Sequence, residues 1–553
     1  MLPREGEIME NNLLTEKWLT VVSRQGDKRK VSLPELFSEL ERNDVADFPA
    51  LLPHQRGPFH VFLVQLACHA LETSGAAEHL PDPTPEEPWK LLGQHSPDEW
   101  QQMIRGIVPG YFEQFPNDEP WCLITNDLSK PAFMQCPVAQ NSWGDYKAVI
   151  HPDDLDLLIA SKNFGIKSGT LQNAQTEDWF FALISLQTNC GYGGAGYYAC
   201  SRQNGSCASR PIFTLQYTTS PCARWGRNVR VILEKYDDEE FDSLNRNALF
   251  APERLGKRLL WLDPWDGRAS YRLDELHPLF IEISRRVRAV KNSDKILFRQ
   301  ATSKCARIEN DTDQTGGYLG DPWEPTVIEK KKIKVFGSKT SYAHIANILA
   351  DSNDCRKPLL LHWHEGIDPE NEMSLWYSMV MKGQCVTDGY TEKVIPIDVQ
   401  NMIVIETFFA VSSAMIDLAG TAKKVLGEAL ALYLQCGNGS SDSKNSKIDW
   451  SSSVIKTWMP VIQNQMEQKI DADFFPHLWR ACDVMKEAGD ELDNNRATAE
   501  WKNHLTQLVN TYYKRGVESL PCRSAQRIKA QAVSRLRLRA LIAKNFATDR
   551  EDS

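Results

Sequence analysis

No apolar run in this chain reaches the 18 or so residues that a membrane span needs. None of its 13 cysteines forms a C-x-x-C pair. An odd, dispersed set predicts reduced thiols rather than a disulfide framework or a zinc knuckle. The opening MLPREGEIME lacks the pattern of a secretory signal, so a cytoplasmic protein is expected. Positive charge is not in excess: the net charge is −10, against the basic balance usual in an independent nucleic-acid binder. There is no nucleophile elbow, P-loop or kinase signature. Nothing among the residues makes a positive case for an enzyme, and no metal or cofactor is expected.

What is present is a chain of 553 residues, too long for one core, so two or three domains are predicted. Its most informative stretch is Asn189-Cys190-Gly191-Tyr192-Gly193-Gly194-Ala195-Gly196-Tyr197-Tyr198. Four glycines in six positions predict a backbone that takes unusual φ/ψ values or lets something approach closely. Gly191-x-Gly193-x-x-Gly196 formally matches G-x-G-x-x-G. That motif binds a dinucleotide only between a strand and a helix, with the pyrophosphate at the helix N-terminus. Leu183-Ile184-Ser185-Leu186 could supply the strand. Downstream, CSRQNGSCASR at 200–210 has a turn signal and no helical period, and no acid stands about 20 residues on for a ribose. A plain glycine turn and a loop that meets nucleic acid through its backbone remain as alternatives.

Along the chain, Trp18–Val22 reads as a strand followed by a turn at Gln25-Gly26-Asp27. Phe59–Leu71 and a stretch from Asp98 read as helices. Glu177–Leu186 suits helix or strand; 211–217, 229–233, 276–290, 328–336 and Leu359–Trp363 suit strands. Residues 1–395 therefore predict an irregular α+β domain. From Pro396 the character changes. Apolar-periodic segments at 399–436, 452–469, 475–515 with interruptions, and 522–546 predict a C-terminal four-helix bundle over 396–553.

Basic runs occur at Lys330–Lys334 and between Lys514 and Lys544, where nine Lys/Arg face the single acid Glu518. Either could contact phosphates; either could be a solvated face. His362 and His364 would share one face of a strand and could begin a zinc site, but no third ligand stands at a recognisable spacing. Cys68 and His69 lie inside an apolar helix.

Several segments, in order, resemble one family. Asn12–Trp18 (NLLTEKW), Leu52–Arg56 (LPHQR) leading into FHVFLVQLACHAL, Pro131–Gln135 (PAFMQ), the glycine loop, Gly316–Leu319 with Asp321-Pro322-Trp323, and Gly389-Tyr390 are similar to blocks of the CasA family. That family is the large subunit of the type I-E CRISPR surveillance complex, Cascade. The resemblance implies a non-catalytic protein whose partners are double-stranded target DNA, the guide-RNA complex of the other Cascade subunits, and a recruited nuclease-helicase. It would recognise the protospacer-adjacent motif (PAM) from the minor groove and promote unwinding and R-loop formation. It also implies site residues: the glycine loop itself, Asn189, Gly191, Tyr192, Gly193, Gly194, Ala195 and Gly196; an assisting lysine, Lys304, with Arg307 as second choice; Lys167, Ser168, Thr170 and Gln172 on a loop that meets nucleic acid; and a duplex-splitting wedge at Thr391-Glu392-Lys393, or Gln384 shifted into that place. The cysteine cluster of some members is missing here, so no metal is implied. A nucleotide-dependent enzyme and a scaffold protein are the alternatives.

Overall fold

The helix Arg56–Ser74 is apolar along Phe59–Leu71, and a helix apolar on every face must be covered on every face. Every residue from Gly57 to Leu71 is buried. The helices Pro97–Gly106, Thr176–Asn189 and Pro221–Lys235 pack around it. A computed structural model shows this arrangement and describes residues 10–82, 90, 92–149, 151–156, 171, 173–199, 210–238, 249–292, 295–309, 319–329, 332–335, 341–351, 355–370, 373–383, 386–437, 447–488 and 494–546. The chain divides into two compact units, 1–339 with 353–397, and 340–352 with 398–553.

The first unit is mixed α/β, with small sheets set around the buried helix. Leu19–Ser23 is the centre of one three-stranded antiparallel sheet, between Lys28–Val31 and Val45–Asp47. Lys295–Ala301 is the centre of another, between Arg286–Asn292 and Lys147–Val149. In a third, Met373–Gly383 lies between Val386–Ile397 and Ile212–Gln216. Ile212–Gln216 pairs only with Ser374–Ser378, so the distal part of the 373–397 hairpin extends past its neighbour. Aromatic side chains join the helices to each other and to the 131–135 segment: Phe59 packs edge-on against Phe181, and Phe133 lies flat on Phe180 with ring centroids 5.2 Å apart.

Three expected strands are something else. Leu183–Leu186 lies in the helix Thr176–Asn189, which Gln175 and Asp178 cap: the Gln175 amide donates to Asp178 Oδ2 at 2.7 Å. Residues 229–233 lie in the helix Pro221–Lys235, whose β-branched residues Val229, Val231 and Ile232 are buried; packing overrides their strand preference. Leu359–Leu361 is a single 3₁₀ turn after Pro358, not a buried strand.

The second unit is helical. Ile405–Gly437 packs against each of Ser453–Ala488, Ala499–Ser519 and Arg527–Phe546. Trp501 Nε1 donates to the Met415 carbonyl at 3.0 Å, and Tyr433 Oη to that of Val517 at 3.0 Å. Residues 470–474, expected to break the helix, continue it. The buried stripe Ile462, Met466, Ile470, Phe474, Leu478 carries the helix through Pro460 and Pro476, although each proline removes one backbone bond. The unit also includes Tyr342–Leu349, a helix outside the 396–553 span; the Tyr342 amide donates to Asp471 Oδ1 at 2.9 Å.

Candidate nucleic-acid interface

The helix Thr176–Asn189 ends where the glycine loop begins, and its last turn is fastened by one side chain. Gln187 Nε2 donates to the carbonyls of Met134 and Arg285 at 2.9 and 3.0 Å. Gln187 Oε1 accepts the amides of Ser284 and Arg285 at 2.9 and 2.8 Å. All four bonds of the amide group are made, so the helix end cannot drift. Met134 belongs to the PAFMQ segment, whose Gln135 does the same one step along: Nε2 donates to the Leu123 carbonyl at 2.8 Å, and Oε1 accepts the Ala289 amide at 2.6 Å.

The loop itself rests on Arg285, which is 5% exposed. Its Nη2 donates to the Gly191 carbonyl at 2.8 Å and contacts Cys190 Sγ at 3.1 Å. Its Nη1 donates to the Tyr198 carbonyl at 3.2 Å. Arg285 thus joins the two feet of the loop. Above it the backbone closes on itself: the Gly193 amide donates to the Tyr197 carbonyl, and the Tyr197 amide to the Gly194 carbonyl, both at 3.0 Å. Gly194 and Gly196 sit at φ +112° and +86°, values that only glycine adopts cheaply. A second segment steadies the tip. The Ser303 amide donates to the Gly196 carbonyl at 2.9 Å, and a Cβ on Gly196 would meet Thr302 at 3.1 Å. Gly193, Ala195 and Tyr197 are exposed. The amides of Gly194, Ala195 and Gly196 have no partner among the described residues. A rigid ridge of unpaired backbone donors is the result.

The sequence candidates separate on this geometry. Gly191 is buried at a foot, and Tyr192 is half-buried beside Tyr198, ring centroids 5.6 Å apart. Asn189 is 2% exposed within the helix; it supports the loop from below and offers no surface for contact. Lys304 is exposed next to Ser303, beside the ridge. Arg307 is buried: it donates to the carbonyls of Asp263 and Pro264 and to Tyr271 Oη, and lies 4.2 Å over the Tyr271 ring. Thr391, Glu392 and Lys393 are not at a hairpin tip. They sit mid-strand, opposite Met379, Ser378 and Tyr377, and Glu392 accepts Trp376 Nε1 at 2.9 Å and Arg56 Nη1 at 3.3 Å. Gly383 pairs with Val386; Gln384 falls outside the described residues, as do Lys167, Ser168, Thr170, Gln172, Gly316–Tyr318, Lys330 and Lys331. Sequence reasoning missed Arg285, Gln187 and Thr302. Arg285 lies in the bend before the strand Arg286–Asn292, and an arginine among other arginines gives no outward sign of burial.

The dinucleotide reading loses its upstream half as well, because a helix precedes the loop. His362 and His364 lie in the link between the Leu359–Leu361 turn and a turn at 365–367 rather than alternate on a strand; burial pushes His362 down to about 3 and His364 to about 4. Among the described residues one further cluster has metal-ligand composition: His69, Glu72 and His277. Arginines occupy it. Arg258 Nη1 lies 2.8 Å from His69 Nδ1 and 2.6 Å from Glu72 Oε2, and Arg254 Nη2 lies 2.7 Å from Glu72 Oε1. His69 Nε2 meets the Leu279 carbonyl at 3.0 Å, and His277 Nδ1 accepts the Leu279 amide at 3.0 Å. Burial would raise Glu72, but His277, Arg254 and His69 hold it well below the usual carboxylate range. This is a buried ion-pair network whose positive partners stand where a cation would.

A mixed α/β unit bearing an arginine-braced glycine ridge, followed by an all-helical unit, defines the class. The family model described as CRISPR-associated protein Cse1 matches residues 12–512, and the chain belongs to that family. Its fold is similar to Cse1 from Acidimicrobium ferrooxidans (TM-score 0.63, 16% identity, 98% of this chain and 100% of that one). It is also similar to Thermobifida fusca Cse1 (TM-score 0.61, 16% identity, 97% and 98%) and to Thermus thermophilus CasA (Cse1) (TM-score 0.58, 14% identity, 96% and 100%). A search of curated proteins gave no match. No described helix is long and apolar enough to cross a membrane.

Proposed function

We propose that this chain is the non-catalytic large subunit of a cytoplasmic type I-E RNA-guided surveillance complex, and that its glycine ridge reads the PAM of double-stranded DNA through the minor groove. The observation that carries this reading is the exposed backbone at Gly193–Gly196, free of side-chain bulk and braced from beneath. The minor groove is about 6 Å wide and offers A·T pairs as acceptors only, with the guanine N2 amine as the one donor. Unpaired amides suit the acceptors, and the Ala195 carbonyl suits the amine. Such a reader discriminates coarsely and accepts several related motifs. Lys304 stands where it can meet a flanking phosphate.

After the motif is read, base pairing with the guide reads the remaining sequence. In this reading the 373–397 hairpin, which extends past its neighbouring strand, separates the duplex. The exposed Arg527, Arg535, Arg537 and Arg539 of the last helix suit phosphates of a DNA strand. Recruitment of the nuclease-helicase completes the role.

Modified bases test the groove. In the reconstituted complex, inosine for guanine, or 2,6-diaminopurine for adenine, within the PAM changes only the minor-groove amine. Either should shift duplex affinity at least tenfold, while 7-deazaguanine, altered in the major groove, should not. The reverse pattern refutes minor-groove reading.

A further inference from the structure

Away from the glycine ridge, the first unit carries a half-open cavity of about 250 Å³, room for about eight waters at roughly 30 Å³ each. Phe48, Leu51, Phe59 and Trp225 form its apolar wall; Asp47, Arg56, Arg224 and Glu392 are its charged groups. Neither the fold nor the proposed PAM reading uses it.

Arg224 is the anomaly. Its guanidinium carbon lies 4.0 Å from the Trp376 ring centroid. Among the described residues its one side-chain hydrogen bond runs from Nη1 to Gln216 Oε1 at 2.9 Å, and its Nε, closed off from solvent, has no partner. Burial, with repulsion from Arg56 against the pull of Glu392, lowers its pKa to about 10. Arg224 is half-buried, and arginines taken even partly out of water ordinarily have a carboxylate or several carbonyls around them. Here the nearby carboxylate, Glu392, is already shared between Trp376 and Arg56. Asp47, at the exposed rim, makes no bond to either arginine.

The helix Pro221–Lys235 adds to the same imbalance. Thr219 and Pro221, at its start, line the cavity. Its N-cap residue Ser220 makes no side-chain bond to the first turn and instead donates to Asn43 Oδ1 at 3.0 Å. The positive end of a 15-residue helix is left uncapped, a setting that favours an anion.

We infer that this cavity binds a nucleoside phosphate, its phosphoryl oxygens on Nη2 of Arg224 and on Arg56, and its base against the aromatic wall. A guanidinium N–H gives a phosphate oxygen a charge-assisted hydrogen bond. The cavity exceeds what bare phosphate fills, and its aromatic wall suits a flat ring. Glu392 supplies an acceptor for an exocyclic amine.

The purified full chain is titrated with AMP, CMP, adenosine and inorganic phosphate, following Tm and tryptophan emission. AMP or CMP should raise Tm saturably by a few degrees and quench emission, whereas adenosine and inorganic phosphate should do much less. Arg224→Met, which keeps the contact with Trp376, should weaken nucleotide binding at least tenfold; Arg56→Ala, at the exposed rim, should weaken it several-fold. Equal effects from inorganic phosphate and AMP, no effect from any nucleotide at millimolar concentration, or unchanged binding in both variants overturns the inference. Competition by a short single strand assigns the nucleotide to nucleic acid, and lack of competition to the free pool; both sources share the proposed chemistry.

Discussion

Arg285 Nη2 donates to the Gly191 carbonyl at 2.8 Å, and the other nitrogen of the same fork reaches the Tyr198 carbonyl. One buried side chain therefore fixes the width of the glycine loop. Replacing Arg285 with Ala leaves those carbonyls without their donor, at about 1–3 kcal/mol for each one kept from water. Chemical denaturation should show a loss of that order. In the assembled complex, PAM-dependent duplex binding should fall at least tenfold, while binding to a pre-opened target falls far less. Equal loss on both substrates would mean general damage, not a loop defect. Lysine at 285 should rescue little, because a single ammonium cannot span both feet.

Gly194 and Gly196 differ in a way that separates backbone strain from crowding. A Cβ on Gly194 meets nothing within 4 Å, so Gly194→Ala carries only the cost of φ +112°, about 1–3 kcal/mol. Gly196→Ala adds a clash with Thr302 at 3.1 Å. A stability cycle with Thr302→Gly should recover part of the Gly196→Ala loss and none of the Gly194→Ala loss. Recovery in neither case would remove the 302–304 segment from the support of the loop.

Lys304 and Arg307 should respond in opposite fashion. Lys304→Ala, at an exposed side chain, should leave Tm within about a degree and weaken duplex binding, with the salt dependence reduced by about one counterion. Arg307→Ala removes buried bonds to two carbonyls and Tyr271 and should cost stability first. Isothermal denaturation and salt-dependent gel shifts separate the two.

Much of this was legible in the residues. Four glycines in six positions marked a special backbone, and the ordered segments from NLLTEKW to Gly389-Tyr390 pointed to the family. The helix over Phe59–Leu71, and the strand at Trp18–Val22 with its turn at Gln25–Asp27, followed from period and turn chemistry. What could not be read was long-range. Arg285 is one of three arginines in ISRRVR, and only the packing of 176–189 against that segment makes it a brace. Val229–Leu233 has strand residues, but a neighbouring helix buries them. Thr391–Lys393 was placed by likeness to a loop, whereas cross-strand register puts it five residues beyond the turn-side end of its strand.

Acid should destabilise the first unit. Burial lowers His277 to about 4 and His364 to about 4, against 6.5 for the free side chain, and pushes His60 and His69 well below 6.5 too. The unfolded chain binds these protons first, so stability is complete above about pH 6.5. It falls as pH drops toward 4, by about 1.4 kcal/mol per pH unit for each fully differing histidine. Urea denaturation at several pH values checks this. His277→Gln should reduce the slope between pH 6 and 4.5 by up to one proton; an unchanged slope would remove His277 from the linkage.

The central claim is that exposed glycine backbone reads the motif. Its most direct test is the ratio of Kd values for matched duplexes with and without a PAM, measured on reconstituted complex carrying Gly194→Asp. Assembly should be normal, since the substituted atom meets open space, and the ratio should collapse toward one as a side chain and a negative charge enter the groove. A wild-type ratio in a fully assembled Gly194→Asp complex would contradict the account.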